Sequence, residues 1–104
     1  MAKLHLSVSA NNDLLSIKEY TEKELESPAA ATSTLLKITK RLRLLKDFPL
    51  SGAPLADIMS FETDYRFIVS GNYIAFYRYI NDTVFVARVL YARCDYISIL
   101  FKEA

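Results

Sequence analysis

Residues that form cross-links or bind metals are scarce in this sequence of 104 residues. It has one cysteine, Cys94, and one histidine, His5. A single thiol cannot close an internal disulfide, and one thiol with one imidazole is too small a set for a structural zinc site. We therefore expect a fold without a disulfide framework and without a bound metal.

Glycine and long apolar runs are scarce as well. The two glycines, Gly52 and Gly71, lie far apart, whereas loops that hold nucleotide phosphates need several closely spaced glycines. No segment approaches the ~20 apolar residues of a membrane span, and the first residues lack the apolar region of a secretion signal. The sequence therefore predicts a cytoplasmic protein with no small-molecule cofactor and no membrane contact.

The composition is that of a packed globular domain. Hydrophobic residues make up 52% of the chain and charged residues 24%, which excludes a disordered or fibrous protein. A chain of this length has the size of one ordinary domain. We therefore expect a single domain over residues 1–104.

The first half of the chain predicts one strand and two helices. Residues 3–9 alternate between polar and apolar side chains, with His5 on the polar side, as in a half-buried strand. Ser9 is the predicted N-cap of the first helix, and Ser27-Pro28 ends that helix and starts the second. The connection is so short that the helices must form an antiparallel hairpin. The apolar seam of the second helix consists of Ala31, Leu35, Ile38, Leu42 and Leu45.

The second half predicts a three-stranded meander. Residues 65–70, 73–80 and 83–91 are rich in aromatic and β-branched side chains, and the turn pairs Gly71-Asn72 and Asn81-Asp82 separate them. Residues 48–63 look irregular, and residues 94–101 form either a short helix or an edge strand. The predicted fold is α+β, with the order β-α-α-β-β-β, an antiparallel sheet, a helical hairpin on one face and a short C-terminal element.

Two-residue turns determine which side chains share a face of the predicted sheet. Because an arginine is costly to bury without a partner, a face with arginines is either solvated or lines a groove for an anionic ligand. We expect the helices to cover the wholly apolar face, which carries Phe67, Val69, Ile74, Phe76, Ala87 and Val89. The opposite face then carries Arg66, Arg88, Tyr73 and Tyr77.

Residues 37–46, called the basic stretch below, contain five basic residues and no acidic one. They lie off the apolar seam of the second helix. They therefore form either a surface for an acidic partner or nucleic acid, or a solvated helix face. The residues are Lys37, Lys40, Arg41, Arg43 and Lys46.

The order of these elements, taken with short motifs spread over nearly the whole chain, resembles the RelE/ParE superfamily of bacterial toxins. No single motif is diagnostic, but their order and spacing together are fairly specific. The motifs are Asp13-Leu14, Phe48-Pro49, Gly52, Tyr65-Arg66, Gly71-Asn72-Tyr73, Phe76-Tyr77-Arg78, Arg88-Val89-Leu90 and Arg93-Cys94-Asp95-Tyr96.

This resemblance implies a growth-inhibiting toxin of a type II toxin–antitoxin system, silenced by a cotranslated antitoxin whose C-terminal segment wraps it. RelE-like members cleave mRNA on the ribosome with basic residues of the exposed sheet face, whereas ParE-like members inhibit DNA gyrase. Arg66 matches a basic position of the nuclease set. Four positions depart from that set because they carry neither a charge nor a proton carrier: Ile68, Ile74, Cys94 and Leu100.

RNA cleavage needs a proton acceptor for the 2′-OH and a donor for the leaving oxygen. The resemblance gives Arg66, Arg88 and Arg93 as candidate catalytic cations, and Tyr77 or Tyr73 is the proton carrier available nearby. Because of the four departures, we predict gyrase inhibition through protein contacts, with ribosome-dependent mRNA cleavage as the alternative and an inactive binding module as a further one. The basic stretch is the expected antitoxin contact. Cys94 is either a reactive thiol or a small apolar packing residue.

Overall fold

The computed structural model describes residues 1–101, and the single domain predicted over residues 1–104 extends beyond this range by three residues. Within the described range, none of the helices combines the length and the apolar character that a bilayer crossing requires. The elements are β1 (Lys3–Leu6), α1 (Val8–Leu25), α2 (Pro28–Arg43), β2 (Ala53–Pro54), β3 (Arg66–Ser70), β4 (Tyr73–Ile80), β5 (Thr83–Tyr91) and α3 (Tyr96–Leu100), with single 3-10 turns at Leu44–Lys46 and Leu55–Asp57.

Helix α1 begins earlier than the sequence predicts. The predicted cap is Ser9, but the hydroxyl of Ser7 accepts a hydrogen bond from the Ala10 amide at 2.9 Å, so the helix begins at Val8. The same hydroxyl donates to the Ala87 carbonyl of β5 at 2.7 Å. Ser7 is the better cap because it joins the start of the helix to the sheet, and β1 consequently ends at Leu6.

The two helices form the predicted hairpin. Ser27 caps α2 by accepting from the Ala30 amide at 3.1 Å, and Pro28 occupies the first turn, where its missing N–H costs nothing. The predicted seam of α2 is confirmed. Its buried residues are Ala31, Ile38, Leu42 and Leu45, and Leu35 is partly buried beside them.

The strands form one sheet in the order β1-β5-β4-β3-β2. The meander is confirmed, and its turns place Gly71, Asn81 and Asp82 at positive φ, which these residue types tolerate best. The expectation of an antiparallel sheet is wrong for β1, which pairs with β5 in parallel. A parallel neighbour is possible because a long connection, including both helices, separates the two strands. The two-residue strand β2 lies in the segment predicted as irregular.

The helical hairpin covers the face of the sheet opposite to the predicted one. The core beneath the helices takes its sheet residues from the face with the tyrosines: Ile68, Tyr73, Ala75, Tyr77, Val84, Val86 and Val89. Of the six residues expected there, Phe67, Ile74 and Phe76 pack on the other side, Val69 is 53% exposed, and Val89 packs beneath the helices. The prediction fails because each face of the sheet carries apolar residues that are buried beneath a covering layer. The apolar pattern therefore does not show which face the helices cover.

A β-bulge in β5 changes the register partway along the strand. Tyr77 pairs with Val86 and Phe76 pairs with Arg88, so Ala87 is an extra residue opposite no partner in β4. The register expected from a two-residue turn therefore holds only up to Val86. Beyond the bulge, Val89 belongs to the core beneath the helices.

The second face of the sheet is covered in part by the C-terminal segment. Residues 96–100 form the predicted short helix rather than an edge strand. Asp95 caps it by accepting from the Ser98 amide at 3.4 Å, and its carboxylate also accepts from the Ser98 hydroxyl at 2.8 Å. This layer buries Leu55, Ile74, Phe76 and Leu90 against partly buried residues that include Cys94, Ile97, Leu100 and Phe101.

Candidate functional site

Tyr77 is fully buried beneath the helices, whereas the sequence predicts it on the opposite face, which is either solvated or lines a groove for an anionic ligand. Its hydroxyl donates to the Pro49 carbonyl at 2.7 Å and accepts from the Gly52 amide at 2.9 Å. Burial raises the pKa of this hydroxyl above 10.0, and the Gly52 amide and the charges of Arg66 and Arg41 partly offset that effect. The phenol is therefore a neutral structural group that holds the loop of residues 48–52.

Arg66 holds the same loop from β3. Its guanidinium donates to the Gly52 carbonyl at 2.7 Å and to the Leu50 carbonyl at 3.3 Å. Arg66 is also the cross-strand partner of Tyr77. The structure therefore brings these two candidate catalytic residues together, and both are used to bind backbone.

Gly52 is required where the loop meets Tyr77. A Cβ built at this position lies 2.5 Å from the Tyr77 hydroxyl oxygen and 2.8 Å from the Phe67 carbonyl oxygen. Real Cβ atoms do not approach so closely, and the Phe67 oxygen belongs to the sheet backbone, which cannot move aside. Only glycine therefore allows the tyrosine and the loop to meet at hydrogen-bonding distance.

Arg88 is bound to α1 by a partner that the sequence reasoning missed. Its guanidinium makes two hydrogen bonds to the carboxylate of Asp13, at 2.8 and 2.7 Å, and these bonds raise the pKa of Arg88 further. The same carboxylate accepts from the Val89 amide at 2.9 Å. No local signal could reveal this pair, because the partners are 75 positions apart.

Arg93 and Cys94 lie in the turn after β5. Arg93 is exposed, and Cys94 is half-buried and packs in the second core. Arg93 is thus the one candidate catalytic residue with no side-chain hydrogen bond or ion pair within residues 1–101. It lies outside the helix-covered face where Arg66 and Tyr77 meet.

The basic stretch divides into two surface parts and Arg41, which is half-buried and whose charge acts on the hydroxyl of Tyr77. Lys37 and Lys40 lie on the open outer surface of α2, together with the exposed Leu36. Arg43 and Lys46 lie at the C-terminal end of the helix, next to the 48–52 loop. Within residues 1–101, carboxylate partners are found only for Arg78 and Arg88, so these cations are available to an acidic partner.

A cleft of about 390 Å³ separates α1 from the edge of β5. In the described range, β1 pairs with β5 only up to Val86, so the strand edge beyond that residue borders the cleft directly. Its walls are mainly apolar and aromatic, and they include Ile17, Tyr20, Tyr73, Val89 and Tyr91. Sequence reasoning missed this cleft because it depends on where the parallel strand β1 ends.

A second ion pair lies at the surface, where Arg78 binds Asp64 at 2.8 and 2.9 Å. The hydrogen bonds from Arg78 lower the pKa of Asp64 below 3.8. A carboxylate with a lowered folded-state pKa stabilises the protein above the unfolded-state pKa, and this stability is lost as the pH falls through the folded-state value. Both side chains are about half exposed, at 42% and 59%, so the effect on stability is small.

Replacement of Arg78 by a neutral residue tests whether the ion pair with Asp64 forms in solution. In Arg78→Gln, we expect the pKa of Asp64 to return towards 3.8, because the charged donors are lost. The measurement is a carboxyl NMR titration of both proteins. Arg88→Gln is the control, and it should leave the Asp64 titration unchanged. An unchanged Asp64 pKa in Arg78→Gln would show that the pair does not form in solution.

The helical hairpin, the mixed sheet and the short C-terminal helix form the kind of α+β fold that the resemblance to the RelE/ParE class of small toxins implies. A family model described as the ParE toxin of type II toxin–antitoxin system, parDE, matches residues 4–96. The chain belongs to the ParE toxin family.

A solved structure supports the fold independently. It is the chromosomal ParDE TA system from P. aeruginosa, with a TM-score of 0.75 and 19% sequence identity over 89% of this chain and 98% of that chain. At 19% sequence identity, this likeness shows that the two proteins share a fold and nothing more. No curated protein matches the sequence significantly.

Proposed function

We propose that this chain arrests growth by inhibiting DNA gyrase in the cytoplasm through protein contacts, and that a cognate antitoxin neutralises it. The main support is that three candidate catalytic residues have structural partners. Tyr77 and Arg66 bind the 48–52 loop, and Arg88 binds Asp13. Acid–base cleavage of RNA needs such groups free to reach a substrate. The resemblance to ParE-like toxins, rather than to the nucleases of the superfamily, implies the same target.

Expression in a bacterial host tests this proposal. Induction of the chain alone is expected to arrest growth, and coexpression of the antitoxin is expected to restore it. Primer extension on translated messages from the arrested cells is expected to show intact mRNA. Codon-phased cleavage would identify a ribosome-dependent nuclease instead. Normal growth at full expression would identify an inactive binding module that has kept the fold.

Two surfaces support an antitoxin as partner. The cleft between α1 and β5 offers apolar walls beside a strand edge, which suits the apolar side chains of an extended or helical segment. The outer surface of α2 offers Lys37 and Lys40 beside Leu36, which suits an amphipathic segment with acidic residues. We propose that the antitoxin uses both surfaces.

Charge reversal on α2 tests the second contact. Lys37→Glu with Lys40→Glu is expected to weaken antitoxin binding about 10-fold or more, mainly through slower association, and to flatten its salt dependence. The control is Lys3→Glu with Lys18→Glu, which changes the net charge equally at exposed positions elsewhere. Calorimetry measures the affinity, and stopped-flow mixing at several salt concentrations measures the association rate and its salt dependence. Equal affinities for the two double variants would reduce this part of the basic stretch to a solvated face.

A further inference from the structure

The 48–52 loop exposes two large apolar side chains. Phe48 is 62% exposed and Leu50 is 60% exposed. Neither belongs to the two core clusters of the described residues. Single exposed apolar residues are common on protein surfaces, but here an aromatic and an aliphatic side chain lie two positions apart in one loop, and we call this pair the apolar patch.

The backbone beneath this patch is held unusually firmly for a loop. Tyr77 binds the Pro49 carbonyl and the Gly52 amide, and Arg66 binds the Leu50 and Gly52 carbonyls. A further bond joins the Ser51 amide to the Phe48 carbonyl at 3.0 Å. A partner that binds this loop therefore does not have to order it, and such preorganisation favours affinity.

The surroundings of the patch are positively charged. Residues 40–52 contain four cations and one carboxylate, Asp47. Arg43 is exposed and Lys46 is partly exposed, and neither is bound to a carboxylate within residues 1–101. An excess of positive charge beside apolar side chains is complementary to an apolar pocket that has carboxylates at its rim.

We propose that the 48–52 loop is the surface by which this toxin binds its target protein, with Phe48 and Leu50 entering an apolar pocket bordered by acidic residues. The inference rests on the proposed function, because it assumes a protein target. The chemistry favours protein over nucleic acid. Single-stranded nucleic acid is bound on several aromatic rings along a basic groove, whereas one of the two exposed side chains here is aliphatic and cannot stack on a base.

The decisive variant is Phe48→Ala with Leu50→Ala. Both side chains are exposed, so the fold and the affinity for the antitoxin are expected to be retained, and these are checked by thermal melting and calorimetry. Binding to purified DNA gyrase and inhibition of supercoiling are expected to fall at least about 30-fold, because truncation of central apolar anchors has large effects. Leu25→Ala is the matched control, since Leu25 is also 60% exposed and lies at the far end of the helical hairpin.

A second variant tests the charge. Arg43→Glu with Lys46→Glu is expected to slow association with gyrase and to remove most of its salt dependence. Unchanged gyrase inhibition by the Phe48 and Leu50 double variant would overturn the inference. An equal loss of antitoxin affinity would overturn it as well, by assigning the loop to the antitoxin. So would tight binding of a single-stranded RNA oligomer that depends on Phe48.

The failure of this inference is distinguishable from failure of the proposed function. If the wild-type chain leaves gyrase unaffected, the proposed target is wrong, and growth inhibition in cells then provides the measurement. Loss of toxicity in the Phe48 and Leu50 double variant, with unchanged expression level and antitoxin affinity, would still support the loop as the target-binding surface. Full toxicity of that variant would contradict it.

Discussion

Replacing Tyr77 by phenylalanine is expected to lower the free energy of unfolding by about 3 kcal/mol. The ring stays in the core, but the Pro49 carbonyl loses a donor at 2.7 Å and the Gly52 amide loses an acceptor at 2.9 Å. Each buried polar group left without a partner costs about 1–3 kcal/mol. The measurement is urea denaturation followed by circular dichroism, with wild type and variant under the same conditions.

Tyr79→Phe is the matched control for this substitution. Tyr79 lies two positions along the same strand, but its hydroxyl bonds to Asp82 at 3.2 Å in an exposed position, where water replaces the lost partner. We expect a change below about 0.5 kcal/mol. If both variants unfold at the same urea concentration, the hydrogen bonds of Tyr77 do not hold the loop.

Replacing Asp13 by alanine is expected to destabilise the protein by a similar amount, about 3 kcal/mol. The carboxylate satisfies the Arg88 guanidinium and the Val89 amide at once, and its side chain is only 12% exposed. Its removal leaves a partly buried cation and a strand-edge amide without an acceptor. Asp13→Asn keeps an oxygen that can accept from the Val89 amide, so we expect a smaller decrease in the free energy of unfolding. Urea denaturation measures both.

The surface ion pair of Arg78 and Asp64 provides the control, because its hydrogen-bond distances are nearly the same as those of Arg88 and Asp13. Asp64→Ala removes a two-fold bonded carboxylate from Arg78 at 2.8 and 2.9 Å, but both partners are well exposed. Exposed ion pairs contribute about 0.2–1 kcal/mol. Equal effects of Asp13→Ala and Asp64→Ala would contradict the view that Asp13 is stabilising because it satisfies the partly buried Arg88 guanidinium and the Val89 amide.

The elements of the fold were predictable because their signals are local. Ser27-Pro28 marks the boundary of the helices, and two-residue turns mark the meander. The register was not fully predictable, since the bulge at Ala87 leaves no mark in composition or alternation. The parallel pairing of β1 depends on the path of the chain between distant segments, which periodicity does not report.

The candidate site was harder to predict because polar residues were interpreted by type rather than by partner. Two arginines and two tyrosines on one face of the predicted sheet indicated a solvated face or a groove for an anionic ligand. Instead, Arg66 and Tyr77 bind the backbone of a loop, and Arg88 binds Asp13. An arginine can lie in a partly buried position once a carboxylate or several carbonyls satisfy it. These partners are 14 to 75 positions away, so sequence alone did not identify them.

A supercoiling assay with purified DNA gyrase tests the central claim most directly. Relaxed plasmid, ATP and gyrase are combined with increasing amounts of the toxin, with and without its antitoxin. We predict that supercoiling stops in proportion to the toxin and resumes when the antitoxin is added. Undiminished supercoiling at a large molar excess of folded toxin, with codon-phased cleavage of translated mRNA in a parallel reaction, would contradict the account.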